Sequence, residues 1–341
     1  MKTVRLTMAQ ALVRFMSRQM TIVDGKVVPY FAGVWGIFGH GNVAGLGEAL
    51  YQVREELPTF RGQNEQGMAL AATAFGKAMF RRRAMACTTS IGPGALNMVT
   101  AAAVAHVDRI PLLLLPGDVF ANRIPDPVLQ QLENFGDGTL TANDCFRPAS
   151  RYFDRITRPE QIMPALERTM QVFFDPAESG PVTLGLCQDV QAEAYDYPEH
   201  FFDERIWTTR RIRPSLDELD AAADVLAKAK KPLIIAGGGV LFSQATDAVK
   251  QFAEKHGIPV CETQAGKSSL PHDHPLNMGS IGVTGSSAAN ELAREADVIL
   301  AVGTRLQDFT TGSWSIFEND GKTIIGLNTQ VFDASKHRAM P

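Results

Sequence analysis

Between residues 34 and 186, short unbroken apolar runs alternate with longer stretches whose apolar side chains recur every three or four positions. An unbroken run suits a strand buried on both faces, and the wider spacing suits one face of a helix. Strands are therefore expected at 34–38, 84–88, 110–115 and 181–186, and helices at 44–57, 66–80, 95–106 and 160–173. Pro58 stops the first of those helices. Near the start, Val4, Met8, Ala11, Leu12, Phe15 and Met16 fall at helical spacing, so a core-packing first helix is expected. The same stretch has no acidic residue before Asp24 and carries Arg5, Arg14 and Arg18, a pattern that mitochondrial transit peptides also show.

The pattern breaks over 191–213, where proline, acidic and aromatic residues mix without a period, and a linker is expected. Alternation then resumes. Ser215 and Glu218 form a Ser-x-x-Glu capping pattern ahead of a helix carrying Leu219, Ala222 and Leu226. Strands are expected at 232–236, 259–261, 298–302 and 323–327, with helices at 244–256 and around 291–295. Strands alternating with helices in this way predict an α/β fold of doubly wound parallel sheets. The expected organisation is a first domain over 1–190, a linker over 191–213 and a second domain over 214–341.

Composition narrows the class. A chain of 341 residues suits two such domains. With 33 basic against 37 acidic residues the net charge is −4, which argues against a nucleic-acid or anionic-membrane binder. The longest strongly apolar run, residues 111–116, is far shorter than the ~20 residues that span a bilayer. Cys87, Cys145, Cys187 and Cys261 are widely spaced, with no C-x-x-C pair, and read as reduced thiols of a cytoplasmic protein. Three local signals are weak. Gly266-Lys267-Ser268 ends like a phosphate loop, but Cys261 stands where its first glycine belongs. Gly237-Gly238-Gly239 lacks the spacing of a dinucleotide fingerprint and reads as a tight strand-to-helix turn. His272 and His274 flank Asp273 without a third ligand, so no metal site is expected within the chain.

One constellation is more specific. Glu65 opens an Ala-rich helix directly after Arg61-Gly-Gln-Asn64. A strand-to-helix turn, Thr89-Ser-Ile-Gly-Pro-Gly-Ala-Leu-Asn97, follows, and then the strand Ile110-Pro-Leu-Leu-Leu-Leu-Pro-Gly-Asp118. Alone, a glutamate at a helix start is ordinarily a partner of the helix dipole. In this order and register the three segments resemble the pyrimidine-binding domain of thiamine-diphosphate enzymes of the acetolactate-synthase type. Pro232-Leu-Ile-Ile-Ala-Gly-Gly-Gly239 and Asp273-His-Pro-Leu276 resemble that family's central, Rossmann-like domain. Acetolactate-type members commonly carry His before the glutamate and Gln in the strand-end loop, where this chain has Asn64 and Asp118. Trp35-Gly-Ile-Phe-Gly-His-Gly-Asn-Val-Ala-Gly45, Cys87-Thr-Thr-Ser90 and Pro125-Asp-Pro-Val-Leu-Gln-Gln131 resemble instead a branch that hydrolyses a cyclic dione.

The resemblance implies thiamine diphosphate and Mg2+ as cofactors. By it, Glu65 is the catalytic residue, hydrogen-bonded to the aminopyrimidine ring, and Gly92, Pro93, Gly94 and Asn97 complete cofactor binding. The loop of Gly39, His40 and Gly41 is expected to face substrate or cofactor. The implied activity is hydrolysis of a carbon–carbon bond that opens a six-membered cyclic dione. Alternatives are a 2-oxo acid carboligase or lyase and, from another class, a non-catalytic nucleotide- or flavin-binding α/β module. The family's third domain grips the diphosphate through a metal, with a Gly-Asp-Gly signature followed by Asn. Gly136-Asp137-Gly138 lies inside the first domain without that Asn and reads as a surface turn. The third domain is therefore expected to be absent. The chain is expected to be an N-terminal fragment with its central domain cut short, inactive by itself. Its active site would be completed by a second subunit in a cytoplasmic homodimer or tetramer.

Overall fold

The computed structural model describes residues 2–125, 127–132, 134–318, 321–335 and 339–340. Met1, Asp126 of the 125–131 motif and Pro341, which closes the second expected domain, lie outside the described residues. The chain divides into two units, Met1–Arg210 and Arg211–Pro341.

In the first unit the strands in chain order begin with β1 (Thr3–Thr7), β2 (Gln19–Val23), β3 (Lys26–Pro29), β4 (Phe31–Gly36), β5 (Thr59–Arg61) and β6 (Ala84–Thr89). They continue with β7 (Leu112–Asp118), β8 (Tyr152–Ile156), β9 (Pro181–Cys187), β10 (Ala194–Pro198) and β11 (Arg205–Trp207). One wholly parallel sheet runs in the order β5-β4-β6-β7-β9-β8. Helices α1 (Met8–Ser17), α2 (Glu48–Gln52), α3 (Glu65–Ala78), α4 (Pro93–Leu96), α5 (Val99–Asp108) and α6 (Ile162–Phe173) lie between the strands in sequence. Successive residues of β6 serve opposite faces of the sheet. Ala84 and Ala86 share a core with Leu12 and Phe15 of α1 and Leu166 of α6, whereas the Cys87 thiol lies against Met68 of α3. Helix α3 packs in turn on α5. The sheet is thus doubly wound, as the apolar runs predict. Its strand order reverses between β4 and β6, and at such a switch point the carboxyl ends of the strands leave a crevice for ligands.

The second unit opens with α7 (Leu216–Lys228) and holds β12 (Pro232–Ala236), β13 (Val260–Glu262), β14 (Asn277–Ser280), β15 (Val298–Val302), β16 (Thr323–Leu327) and β17 (Ala339–Met340). Their order is β14-β13-β12-β15-β16-β17, again all parallel. Ile234 and Ala236 pack with Val249 and Ala253, while Leu233, Ile235 and Ile299 pack with Ala289 and Ala293, so both faces are covered. The glycine triplet is the expected tight turn: a β-carbon on Gly239 would stand 2.6 Å from the Gly303 Cα. Helix α7 is capped as expected, Ser215 Oγ accepting from the Glu218 N–H at 3.2 Å, yet none of its residues is buried.

Four expectations differ from the structure. Val4 belongs to β1, which pairs antiparallel with β10, and the first helix starts only at Met8, behind a Thr7/Gln10 capping box. Residues 194–207 are not linker but part of the first unit. There β10 pairs with β1, β11 pairs with β2, and Tyr197 and Phe202 are buried. In place of a helix over 44–57 the chain makes one wide π turn, Val43–Gly47, followed by the five-residue α2. The helix expected over 95–106 stops at Leu96 and resumes at Val99. Among the described residues all four cysteines are free, and no helix is long and apolar enough to cross a membrane.

Candidate functional site

The segments that follow β4, β5 and β6, three neighbouring strands, converge at the carboxyl edge of the first sheet. After β5, Asn64 adopts extended backbone and its Oδ1 accepts from the Gly67 N–H at 2.9 Å, capping α3. Glu65 is thereby set in the first turn of the helix, where the backbone dipole favours a negative charge. Its carboxyl is half-buried, and Asn97 Nδ2 donates to Glu65 Oε2 at 2.8 Å. The two residues, 32 positions apart, are therefore joined across the mouth of the sheet. The interruption between α4 and α5 falls at Asn97, the residue that makes this bond.

After β6 the chain turns through Gly92 at φ +68° and ψ −122°, a conformation that suits glycine, and a β-carbon there would collide with the Gln130 carbonyl. Pro93 is exposed and starts α4, where its fixed φ suits a first helical position. At Gly94 a β-carbon would collide with Ser90 Oγ and stand 3.4 Å from Glu65 Oε1. The space beside the second carboxyl oxygen of Glu65 is thus kept clear of any side chain at that position.

After β4 comes the loop of Gly39, His40 and Gly41, and the Ile91 N–H donates to the His40 carbonyl at 2.9 Å. Buried Asn42 fixes this loop from below. Its Oδ1 accepts from the Gly39 N–H at 2.9 Å, and its Nδ2 donates to the Ile37 carbonyl and Thr88 Oγ1 at 3.2 and 3.1 Å. Gln191, 1% exposed, donates to the carbonyls of Gly41 and Leu186 and accepts from the Leu46 N–H inside the π turn. Neither Asn42 nor Gln191 announces itself in the sequence. Asn42 carries only a turn signal after Gly-His-Gly, and Gln191 meets Leu46 and Gly41 some 145 to 150 positions away.

Asp118, fully buried at the end of β7, accepts from Arg155 Nε at 2.9 Å and from the Val119 N–H at 2.8 Å. Arg155 Nη2 also donates to Asp144 Oδ2 and Thr141 Oγ1, each at 2.8 Å. Burial by itself would lower the Arg155 pKa, but Asp118 and Asp144 raise it on balance. Burial pushes the Asp144 carboxyl up, but hydrogen bonds from the Thr141 N–H, Arg147 and Arg155 hold it below its ordinary value. Both positions that depart from the acetolactate pattern, Asn64 and Asp118, thus serve local structure here: one as a helix cap, the other in an ion cluster.

Two cavities open beside the His40 loop. One, of about 210 Å³, is bounded by residues 39–45 with Gln188 and Gln191. The other, of about 590 Å³, is lined by Phe38, Val43, Glu48, Tyr51 and Arg61 among others. Gly136-Asp137-Gly138 is a surface turn in which Asn134 Oδ1 accepts from the Gly136 and Asp137 N–H groups. His274 Nε2 lies 3.0 Å from Glu254 Oε1, and among the described residues no group of three or more His, Cys, Asp or Glu could hold a metal ion.

Residues 31–137 match the thiamine pyrophosphate enzyme N-terminal TPP binding domain, and residues 219–341 match the thiamine pyrophosphate enzyme central domain. The chain is 52% identical over 332 residues to 3D-(3,5/4)-trihydroxycyclohexane-1,2-dione hydrolase of Clostridium perfringens, covering 97% of this chain and 52% of the relative. It is 50% identical over 340 residues to 3D-(3,5/4)-trihydroxycyclohexane-1,2-dione hydrolase 1 of Bacillus cereus, covering 100% of this chain and 53% of the relative. The protein of the same name from Geobacillus thermodenitrificans is 52% identical over 336 residues, or 98% of this chain and 52% of the relative. The chain spans about half the length of these curated relatives. With its first unit matched by the cofactor-binding domain and its second by the central domain, the chain belongs to the thiamine pyrophosphate enzymes.

Proposed function

We propose that this chain is the cofactor-activating part of a thiamine-diphosphate-dependent hydrolase that opens the ring of 3D-(3,5/4)-trihydroxycyclohexane-1,2-dione. The observation that carries the reading is the Glu65 carboxyl, fixed through one oxygen by Asn97 and left clear at the other beside Gly94. That arrangement fits an aminopyrimidine ring, which needs a carboxylic acid at one ring nitrogen and backbone without side chains against its face. When bound, thiamine diphosphate supplies the nucleophilic carbon and the electron sink for carbon–carbon cleavage.

The chain's own residues do the rest of this part of the chemistry. Glu65 holds a proton at the ring nitrogen through its free Oε1, and Asn97 keeps the carboxyl in that orientation. Gly92, Pro93 and Gly94 form the backbone wall. Gly39, His40 and Gly41 face the substrate side, held there by Asn42 and Gln191. The same reading has Mg2+ as the second cofactor and a second subunit completing the site, in a cytoplasmic homodimer or larger assembly. The test is turnover by a full-length enzyme carrying this sequence. With thiamine diphosphate and Mg2+ it should hydrolyse the cyclic dione and leave pyruvate unchanged. Carboligation of pyruvate without hydrolysis of the dione would overturn the reading.

A further inference from the structure

The turn after the His40 loop closes in an uncommon way. The Asn42 carbonyl accepts from the Gly47 N–H at 2.8 Å, whereas an α turn would bond it to Leu46. That choice releases the Leu46 N–H, and Leu46 is fully buried, so the donor needs another partner. It finds Gln191 Oε1 at 3.1 Å. The same side-chain amide turns its Nε2 to the carbonyls of Gly41 and Leu186. Gly45 leaves room for it, since a β-carbon there would collide with the Gln191 side chain. One buried amide thus serves the π turn with its oxygen and the His40 loop with its nitrogen. From these contacts we propose that Gln191 is a positioning residue that selects the π turn over an α turn and so fixes the register of the loop and of α2.

The two closures differ by one residue. Chain length is the same in both, so an α turn pushes the extra residue into the 39–41 loop or into α2. Asn42 resists the first, being buried and bonded to Gly39, Ile37 and Thr88. The slip therefore falls on α2, where one residue is worth about 100° of rotation and about 1.5 Å of rise. Val43, Gly47, Glu48 and Tyr51 line the 590 Å³ cavity, and that wall would be rebuilt. Gly47 leaves little tolerance for this, because a β-carbon in its place would stand 3.2 Å from the Phe38 ring. The Gly41 carbonyl would also lose Gln191 Nε2, releasing the His40 loop on that side. Glu65 and Asn97 are bonded to each other, outside this network. Insertions of the π type recur at functional sites, where they set the aim of nearby groups. That the loop aims at substrate rests on the hydrolase reading above; the choice between π and α turn rests on the hydrogen bonds alone.

Gln191→Leu keeps the bulk of the side chain and removes both bonding groups. In this chain, amide exchange at Leu46 should stay slow in the variant, because Asn42 then accepts its N–H. Fast exchange would mean that the turn has opened instead of changing register, and would overturn the inference. In a full-length enzyme carrying this sequence, kcat/KM for the cyclic dione should fall by ~10²-fold, the cost of misplacing a positioned group by about 1 Å. Deuterium exchange at the reactive carbon of bound thiamine diphosphate, measured without substrate, should keep its wild-type rate. A parallel fall in that exchange, or an unchanged kcat/KM, would overturn the inference. Gly45→Ala, whose β-carbon drives Gln191 out of the turn, should give the same results and supplies both measurements should Gln191→Leu fail to fold. The double variant should lose no more than the worse single, as two changes on one element do, and additive losses would count against a shared turn. Failure of the wild-type enzyme to hydrolyse the dione would sink the hydrolase reading instead, leaving Leu46 exchange to judge the turn.

Discussion

Arg155 offers the sharpest test of how the carboxyl edge of the first sheet is held. Its Nε donates to Asp118, whose side chain is 0% exposed, and its Nη2 donates to Asp144, 15% exposed. Arg155→Met keeps much of the side-chain length and removes the charge. Asp118 would then stay buried with only the Val119 N–H donating to its carboxyl. Breaking one side of a buried pair costs about 3–5 kcal/mol. For a unit of this size, Met1–Arg210, each kcal/mol is worth roughly 2–4 °C, so the unfolding transition should fall by roughly 6–20 °C. Scanning calorimetry measures it, and amide exchange at Val119 reports the local loss. Adding Asp118→Asn to Arg155→Met should recover most of the stability, since replacing a whole buried pair is often close to neutral. The Asp144 carboxyl, held below its ordinary value, contributes stability that is full above the unfolded carboxylate pKa near ~3.9 and is lost as pH falls through the lower folded one. The gap between wild type and Arg155→Met should therefore narrow below about pH 4. A loss under about 1 kcal/mol at neutral pH, the worth of an exposed pair, would refute the reasoning.

Two further substitutions probe the paired turns. Asn97→Ala removes the hydrogen bond that orients the Glu65 carboxyl, worth about 1–1.5 kcal/mol, so cofactor-dependent turnover of a full-length enzyme should fall roughly 5- to 12-fold. A change below about threefold would deny Asn97 its orienting role. Gly92→Ala forces a side chain onto positive φ and into the Gln130 carbonyl, and should cost more than the ~1–2 kcal/mol of left-handed backbone alone. An unchanged urea midpoint would contradict that.

The interior strands of both sheets are legible because they are buried on two faces and so read as unbroken apolar runs, residues 112–115 and Val298–Val302 among them. The peripheral strands are not. Thr3–Thr7 and Ala194–Pro198 carry mixed polar and aromatic residues and pair across nearly the whole first unit, so no local window contains the signal. The π turn is hidden for a related reason: it depends on Gln191 reaching back to Leu46. Within the site, Glu65, Gly92 and Asn97 stand in recognisable order along the chain. Asn42, Gln191 and Arg155 are single polar residues whose partners are set by the sheet, and only the folded chain brings them together.

The central claim is that the Glu65 carboxyl activates the cofactor. Glu65→Gln keeps the side chain's shape and can still accept from Asn97, but the amide offers no acidic proton to the ring nitrogen. In a full-length enzyme carrying this sequence, assayed for cyclic-dione hydrolysis with thiamine diphosphate and Mg2+, turnover should drop by at least the ~10²–10⁴-fold typical of general acid–base catalysis. Turnover within about tenfold of wild type would contradict the claim.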